Sequence, residues 1–286
     1  MSNFNFIPSV NYHLWRACNM RCKFCFASFQ DVKSTILPKG HLSYSESQRL
    51  IKGLADFGFR KITFAGGEPT LCPWLSELIK DAKTFGLTTM IVTNGSALSN
   101  QFLRGNQRYL DWITLSIDSL SIETNLKSGR ISRTFTTDES NYLKLISNIK
   151  KFRYRLKINT VVSRLNLNDD LNDFINIAEP DRWKIVQAIP IKGQNDGKIN
   201  DIMISNQEFN EFVQRHNNHE CVVPETNNQI INSYVMVDPA GRFFTNENGY
   251  YRYTKPILDV GVKTAISEMN YDLLKFTERG GIYQWE

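Results

Sequence analysis

The sequence predicts an α/β fold, a partial (β/α)6 TIM-type barrel followed by a C-terminal extension. Three observations predict it. Strand-like and helix-like segments alternate six times, the pattern of a parallel sheet with helices outside. Residues able to do chemistry gather at or near the C-terminal ends of the strands, where such barrels build their sites. The alternation then stops in the last third of the 286 residues, leaving six units rather than eight and hence an incomplete barrel.

Taken in order, Val10 to Trp15 alternates β-branched and aromatic residues roughly and reads as the first strand. Residues 26–42 connect it onward, with Pro38 and Gly40 as breakers. Ser43 and Glu46 form a capping-box pattern, Leu50, Leu54 and Phe57 give the helix an apolar face, and Gly58 ends it. Lys61 to Ala65 is the second strand, ending in Gly66-Gly67-Glu68-Pro69, and a helix follows from about Trp74 to Phe85. Leu87 to Thr93 is the third strand, closed by Asn94-Gly95, with a helix carrying Leu98, Phe102 and Leu103. Trp112 to Asp118 is the fourth. A polar segment with Gly129-Arg130 leads to a helix near 138–152. Arg155 to Val162 is the fifth strand, a helix covers 169–178, and Arg182 to Ala188 is the sixth.

Beyond them come a polar loop (190–204) and a helix near 205–218. A short strand pair, Ser233 to Val237 and Arg242 to Thr245, turns around Pro239-Ala240-Gly241, and a final helix spans 262–276. Residues 1–190 are therefore the partial barrel, and 191–286 an extension that closes it and completes a site. No linker, repeat or low-complexity run marks off a second domain.

Composition narrows the function. A formal charge of +5 is too weak to imply a nucleic-acid partner but suits a small polyanion. Five cysteines in a chain of this length make no disulfide framework, and Cys72 and Cys221, far apart, read as small buried apolar residues. Met1 to Pro8 is too polar and short for a signal peptide, no apolar run could span a membrane, and no basic amphipathic helix opens the chain. These features point to a cytoplasmic protein with no membrane partner.

The densest chemistry lies in Cys18, Cys22 and Cys25, spaced C-x3-C-x2-C. Thiolates at this spacing can wrap one cluster, and three ligands on a 4Fe-4S cluster leave one iron open. Zinc is the competing occupant, but it wants four ligands; the nearby fourth candidate is His13, and there is no second C-x2-C. Gly66 and Gly67 would let backbone approach a ligand, and Glu68 could accept from an ammonium group; taken alone, the run is also a turn and helix start. Lys61, Arg130, Lys157, Arg182, Lys184 and Arg279 come from separate segments that a barrel mouth would bring together. Any one of them reads as a solvated or snorkelling cation; several at strand ends read as a polyphosphate site.

The cysteine spacing and its following aromatic segment resemble the radical S-adenosylmethionine (SAM) superfamily. Within it, Ser9-Val10-Asn11-Tyr12-His13, Phe64-Ala65-Gly66-Gly67-Glu68-Pro69, Lys157-Ile158-Asn159, Arg182-Trp183-Lys184, Val223-Pro224-Glu225, Asn232-Ser233-Tyr234 and Arg279-Gly280-Gly281-Ile282-Tyr283 resemble the viperin family over nearly the whole chain. The resemblance implies a 4Fe-4S cluster on Cys18, Cys22 and Cys25, with SAM on its open iron. It implies SAM contacts from Gly66, Gly67, Glu68, Asn94, Ser116 and Asp118; Asn94, Ser116 and Asp118 could equally be strand-end caps. A 5′-deoxyadenosyl radical would take hydrogen from ribose C4′ of CTP, UTP or GTP. The 3′-hydroxyl would leave as water, and reduction and protonation would give the 3′-deoxy-3′,4′-didehydro nucleotide, an antiviral chain terminator. Lys61, Arg130, Lys157, Arg182, Lys184 and Arg279 would hold the triphosphate or sugar, with Asn11 and Asn159 as polar partners.

Tyr234 matches the family's tyrosine proposed as hydrogen or proton donor, though a core aromatic with a satisfied hydroxyl reads equally well; Glu225 receives no role. A flavodoxin- or ferredoxin-like external electron donor is implied. The missing membrane helix and the end at Trp285-Glu286 imply a soluble, prokaryotic-type member with its cluster-loading route open. A GTP cyclase of the same superfamily would need a second cysteine cluster in the C-terminal half, where only Cys221 lies. A non-catalytic electron-transfer or sensor protein would need neither the Gly66–Pro69 run nor cationic strand ends.

Overall fold

The computed structural model describes residues 6–285; Glu286 and most of the Met1–Pro8 stretch, on which the reading of the two chain ends rests, lie outside the described residues. Six strands follow the alternation of the sequence: β1 (Ser9–Trp15), β2 (Lys61–Gly66), β3 (Thr88–Thr93), β4 (Trp112–Ser116), β5 (Arg155–Val162) and β6 (Arg182–Gln187). They pair in parallel, each with the next. Between them lie α1 (Tyr44–Phe57), α2 (Leu75–Thr84), α3 (Asn100–Asn106), α4 (Ile122–Ser128), α5 (Glu139–Lys151) and α6 (Asn172–Ala178). The predicted capping box is formed at α1: the Ser43 backbone N–H donates to Glu46 Oε2 at 2.8 Å, and the Glu46 N–H donates to Ser43 Oγ at 3.3 Å.

The extension departs from the expectation. After α7 (Asn206–Arg215), β7 (Val222–Glu225) joins β6 in parallel; past α8 (Asn227–Ile230), β8 (Val235–Val237) joins the other edge, parallel to β1. Among the described residues eight strands are thus parallel, not six. β7 escaped prediction because it is four residues long and holds Pro224, which argues against a strand unless it lies at an edge. β9 (Arg242–Glu247) and β10 (Tyr250–Pro256) then add antiparallel strands, giving the order β10-β9-β8-β1-β2-β3-β4-β5-β6-β7. The extension lengthens the sheet at both edges and does not close it by pairing. A short α9 (Ile257–Val260) comes first, and the final helix expected over 262–276 is broken into α10 (Val262–Ser267) and α11 (Leu273–Glu278), where Asp272 caps a new start by accepting from the Lys275 N–H. The short helix α4, capped by Ser121, was hidden in a polar segment with too few apolar residues to show a period.

The two faces of each strand divide the labour. Outward residues such as Ile62, Phe64, Ile91, Ile113, Ile158 and Ile185 pack under Leu50, Leu54, Leu78, Ile79, Ile146 and Ile149 of the helices as one core. Each such side chain contributes about 1.5–3 kcal/mol by its burial. The inward residues instead leave a cavity. No helix among the described residues is long and apolar enough to cross a membrane.

Candidate active site

Residues two apart on a strand share a face, so the inward face reads directly off the sequence. It carries Asn11 and His13 on β1, Lys61 and Thr63 on β2, Lys157 and Asn159 on β5, and Arg182 and Lys184 on β6. The sheet register sets Asn159 beside Ser116 on one side and Lys184 on the other. These side chains are small or polar at mid-height, so the barrel is not filled, and a cavity of about 290 Å³ remains. Every residue expected in the site lines it: the three cysteines, Gly66, Gly67, Glu68, Asn94, Asp118, Arg130, Tyr234 and Arg279 as well as those just named. Cys72 and Cys221 are not among its lining; Cys72 is buried as expected, whereas Cys221 is only half-buried.

One end holds the thiols. The loop after β1 runs against the end of β2: Gly67 N–H donates to Trp15 O at 2.5 Å and Glu68 N–H to Ala17 O at 2.9 Å. A Cβ on Gly66 would lie 2.2 Å from Trp15 O, and one on Gly67 2.4 Å from both Arg16 O and Ala17 O. The glycines were expected to admit a ligand; their contact is with the cysteine loop's own backbone. The far side of that loop is tied to the end of α4, with Arg21 N–H donating to Gly129 O at 3.0 Å and Lys23 N–H to Ser128 O at 2.8 Å. Burial raises all three thiols, Cys22 to about 12, so occupancy by a metal group must displace protons. The sulfurs are unpaired and face one cavity. Among the described residues no three His, Cys, Asp or Glu side chains gather around a single ion; a multi-iron cluster takes its thiolates from farther apart. The donor set fits such a cluster.

Carboxylates stand beside the thiols. Glu68, 1% exposed, accepts from Thr93 Oγ1 at 2.6 Å and from Thr70 N–H at 3.1 Å on Oε1, and from Asn94 N–H at 2.8 Å on Oε2. Burial pushes its carboxyl up, against those donors. Oε2 keeps an unused lone pair. Asn94 donates to Asn19 Oδ1 at 2.9 Å, inside the cysteine loop. Asp118 accepts from Val161 N–H at 2.8 Å and from Arg130 Nε. That pairing separates Arg130 from the other cations: it lies with Asp118, near Cys22 and 5.6 Å over the Phe24 ring.

The opposite end is cationic, and its position corrects the expectation. Lys61 and Arg182 are the first residues of β2 and β6, and Lys157 and Lys184 the third of theirs. They lie toward the N-terminal ends of the strands, because the inward parity runs the whole strand. Lys61, Lys157, Arg182, Lys184 and Arg279 are each at most 9% exposed, and one carboxylate, Glu225, serves them. Glu225 Oε1 lies 2.5 Å from Lys184 Nζ and accepts from Arg279 Nη1 at 2.9 Å; Oε2 accepts from the Tyr234 hydroxyl. Arg279 also donates to Ser233 Oγ at 2.8 Å and to Ser233 O at 2.6 Å, so each of its nitrogens is engaged. Lys61 donates to the Tyr283 hydroxyl, and Arg182 donates to Gly280 O at 2.6 Å with its guanidinium 4.3 Å from the Tyr283 ring centre. Burial and neighbouring cations hold Lys61 and Lys157 well below the usual lysine range.

Glu225, Tyr283 and His13 were missed as site residues. Glu225 sits on an unrecognised strand, and Tyr283 lies on a tail with no periodic signal. His13 showed only as a stray metal-ligand candidate. It is 3% exposed, its ring nitrogens lack partners, and burial holds it at about 3.

A sequence profile of the radical SAM superfamily matches residues 12–178. A protein of Flammeovirga pacifica named S-adenosylmethionine-dependent nucleotide dehydratase is 59% identical over 286 residues, covering 100% of this chain and 99% of that one. A Danio rerio protein named S-adenosylmethionine-dependent nucleotide dehydratase RSAD2 is 34% identical over 287 residues, covering 97% and 78%. Among solved structures, Streptococcus suis SuiB bound to SAM aligns with TM-score 0.68 at 15% identity, covering 98% of this chain and 69% of that one. Native anSMEcpe with bound AdoMet aligns with TM-score 0.67 at 14% identity, covering 94% and 82%. At these identities the two structures speak for the fold.

Proposed function

Since this chain belongs to the S-adenosylmethionine-dependent nucleotide dehydratases of the radical SAM superfamily, we propose that it is a lyase that removes water from a ribonucleoside triphosphate (CTP, UTP or GTP) to give the 3′-deoxy-3′,4′-didehydro analogue. One observation carries the substrate class: five buried cations against one buried carboxylate at the closed end of a cavity whose other end holds three thiols. Buried cations are costly unless an anion meets them, and a triphosphate supplies the missing charge.

The 4Fe-4S cluster on Cys18, Cys22 and Cys25, with SAM at its fourth iron, supplies radical chemistry when bound. The rest belongs to the chain. Gly66, Gly67, Glu68, Asn94, Ser116 and Asp118 form the SAM end, with the free lone pair of Glu68 Oε2 as acceptor for an ammonium group. Lys61, Lys157, Arg182 and Lys184 draw the phosphates inward. That leaves the ribose level with Asn11 and Asn159, whose Oδ1 is buried without a partner. Arg130 and Arg279, held by Asp118 and Glu225, shape the two ends of the cavity. Tyr234 stands on the wall at the phosphate end as the protein group that supplies a proton to the departing 3′-hydroxyl, which leaves as water. Anchoring the phosphates fixes the sugar's reach, the positional part of catalysis. A flavodoxin- or ferredoxin-like donor in the cytoplasm completes the scheme.

Reconstituted protein with SAM and reductant, offered all four ribonucleoside triphosphates in competition, tests this. We expect one triphosphate to stimulate 5′-deoxyadenosine release and to yield a product lighter by one water. No stimulation by CTP, UTP or GTP would sink the substrate assignment.

A further inference from the structure

We propose that Glu225 is the positioning residue of the phosphate end: it holds Lys184, Arg279 and Tyr234 as one bonded group and keeps Lys184 charged for a polyanion. This rests on the triphosphate reading above.

The geometry is specific. Lys184 Nζ lies 2.5 Å from Glu225 Oε1 and donates to the Tyr234 hydroxyl at 2.5 Å, while that hydroxyl donates to Glu225 Oε2. The three groups close a ring. Arg279 enters the same carboxylate from the chain after α11 and stacks 3.6 Å from the Tyr234 ring centre. β6, β7, the approach to β8 and the C-terminal tail therefore meet at one side chain, itself 0% exposed. With three donors already on its oxygens, Glu225 acts on a substrate through its neighbours.

A glutamine cannot replace it. An amide offers one oxygen and one NH2, and either way round it turns a donor toward Lys184 and Arg279 or toward the Tyr234 hydroxyl. Lys184 lies near Lys61 on β2, Lys157 on β5, Arg182 on its own strand, and Tyr234 and Arg279 from the extension. Against these, Glu225 is the one acidic side chain beside it. Burial, with Arg279 and Arg182 adding to it, brings Lys184 down to about 8 even against the upward pull of Glu225. Glu225 itself, though pushed up by burial, is held at about 2 by Lys184 and Arg279. Neutralising it removes the upward pull, so Lys184 sheds its proton at a lower pH.

Calorimetric titration of cluster-loaded protein with CTP, UTP, GTP and inorganic tripolyphosphate, from about pH 6 to about pH 9, reads this out. Wild-type affinity should weaken as pH rises through about 8, on top of any weakening from Lys61 and Lys157. In Glu225→Gln the weakening should begin lower, costing about tenfold in Kd per pH unit of displacement, on top of a loss common to every pH from the broken hydrogen bonds. Superimposable profiles overturn the proposal. So does a weakening equal at every pH with no displacement of the alkaline limb, which is what a purely structural role would give. If circular dichroism shows Glu225→Gln unfolded, Glu225→Asp decides: it keeps the charge, so its alkaline limb must coincide with the wild-type limb, and a displaced limb refutes the idea. Should wild-type protein bind neither a nucleotide nor tripolyphosphate, the triphosphate reading itself fails and takes this proposal with it.

Discussion

Replacing Gly67 by alanine tests how the thiol loop is held. The new Cβ would fall 2.4 Å from two carbonyl oxygens, Arg16 O and Ala17 O, where ordinary contact begins at 3.4 Å. Both obstacles are backbone, so no side chain can swing away, and the two loops must part by about 1 Å. Two hydrogen bonds cross that seam, Gly67 N–H to Trp15 O and Glu68 N–H to Ala17 O. Weakening them costs about 0.5–1.5 kcal/mol each and the overpacking about 1–3 kcal/mol, so about 2–6 kcal/mol is expected in all. At roughly 2–4 °C per kcal/mol for a chain this large, the melting temperature should fall by about 4–24 °C. Because Ala17 adjoins Cys18, iron per chain after reconstitution should fall as well. Gly105→Ala is the control: it lies in α3 with nothing within 4 Å of its would-be Cβ and should leave both readings unchanged or slightly improved. A Gly67→Ala protein that melts with the wild type and loads iron equally would refute the argument.

Two further outcomes follow from the same cavity. Burial first, and then neighbouring cations, hold Lys61 and Lys157 below the ordinary lysine value of 10.5. A bound triphosphate reverses that, so binding should take up protons, and its heat should vary with the ionisation enthalpy of the buffer; a buffer-independent heat counts against the buried-cation site. By the same linkage the ligand-free protein, whose folded-state lysines are depressed, should gain stability as pH rises from their folded values toward 10.5. Cys22→Ala should lose the iron absorbance and SAM cleavage together, and cleavage that survives the substitution would remove the thiol from the mechanism.

The parallel alternation was legible because each βα unit carries its own period: two for the strands, 3.6 for helices such as α1 and α5. The thiol end was legible because its ligands are local, Cys18 to Cys25 in one loop. The cation end was only half so. Lys157 and Lys184 could be suspected from being lysines in apolar strands, but which end of the strands they served depends on register and on where the small inward residues leave room. Glu225 was invisible for a related reason. Its meaning lies wholly in partners 41, 9 and 54 positions away, Lys184, Tyr234 and Arg279, and no local pattern encodes such a meeting.

The tail that underlies the cation end has a consequence for the order of synthesis. Arg155 Nη1 donates to Gln284 O at 2.8 Å and Trp112 Nε1 to Trp285 O at 3.0 Å, pinning the segment that bears Tyr283 beneath the strands. The thiols at Cys18–Cys25 leave the ribosome ahead of Arg279 and Tyr283, which follow more than 250 residues later. A nascent or prematurely terminated chain therefore holds the ligands of a reactive centre before it has a compartment to confine a substrate. A chain ending short of Arg279 would keep the cysteine loop yet lack the base of the cavity.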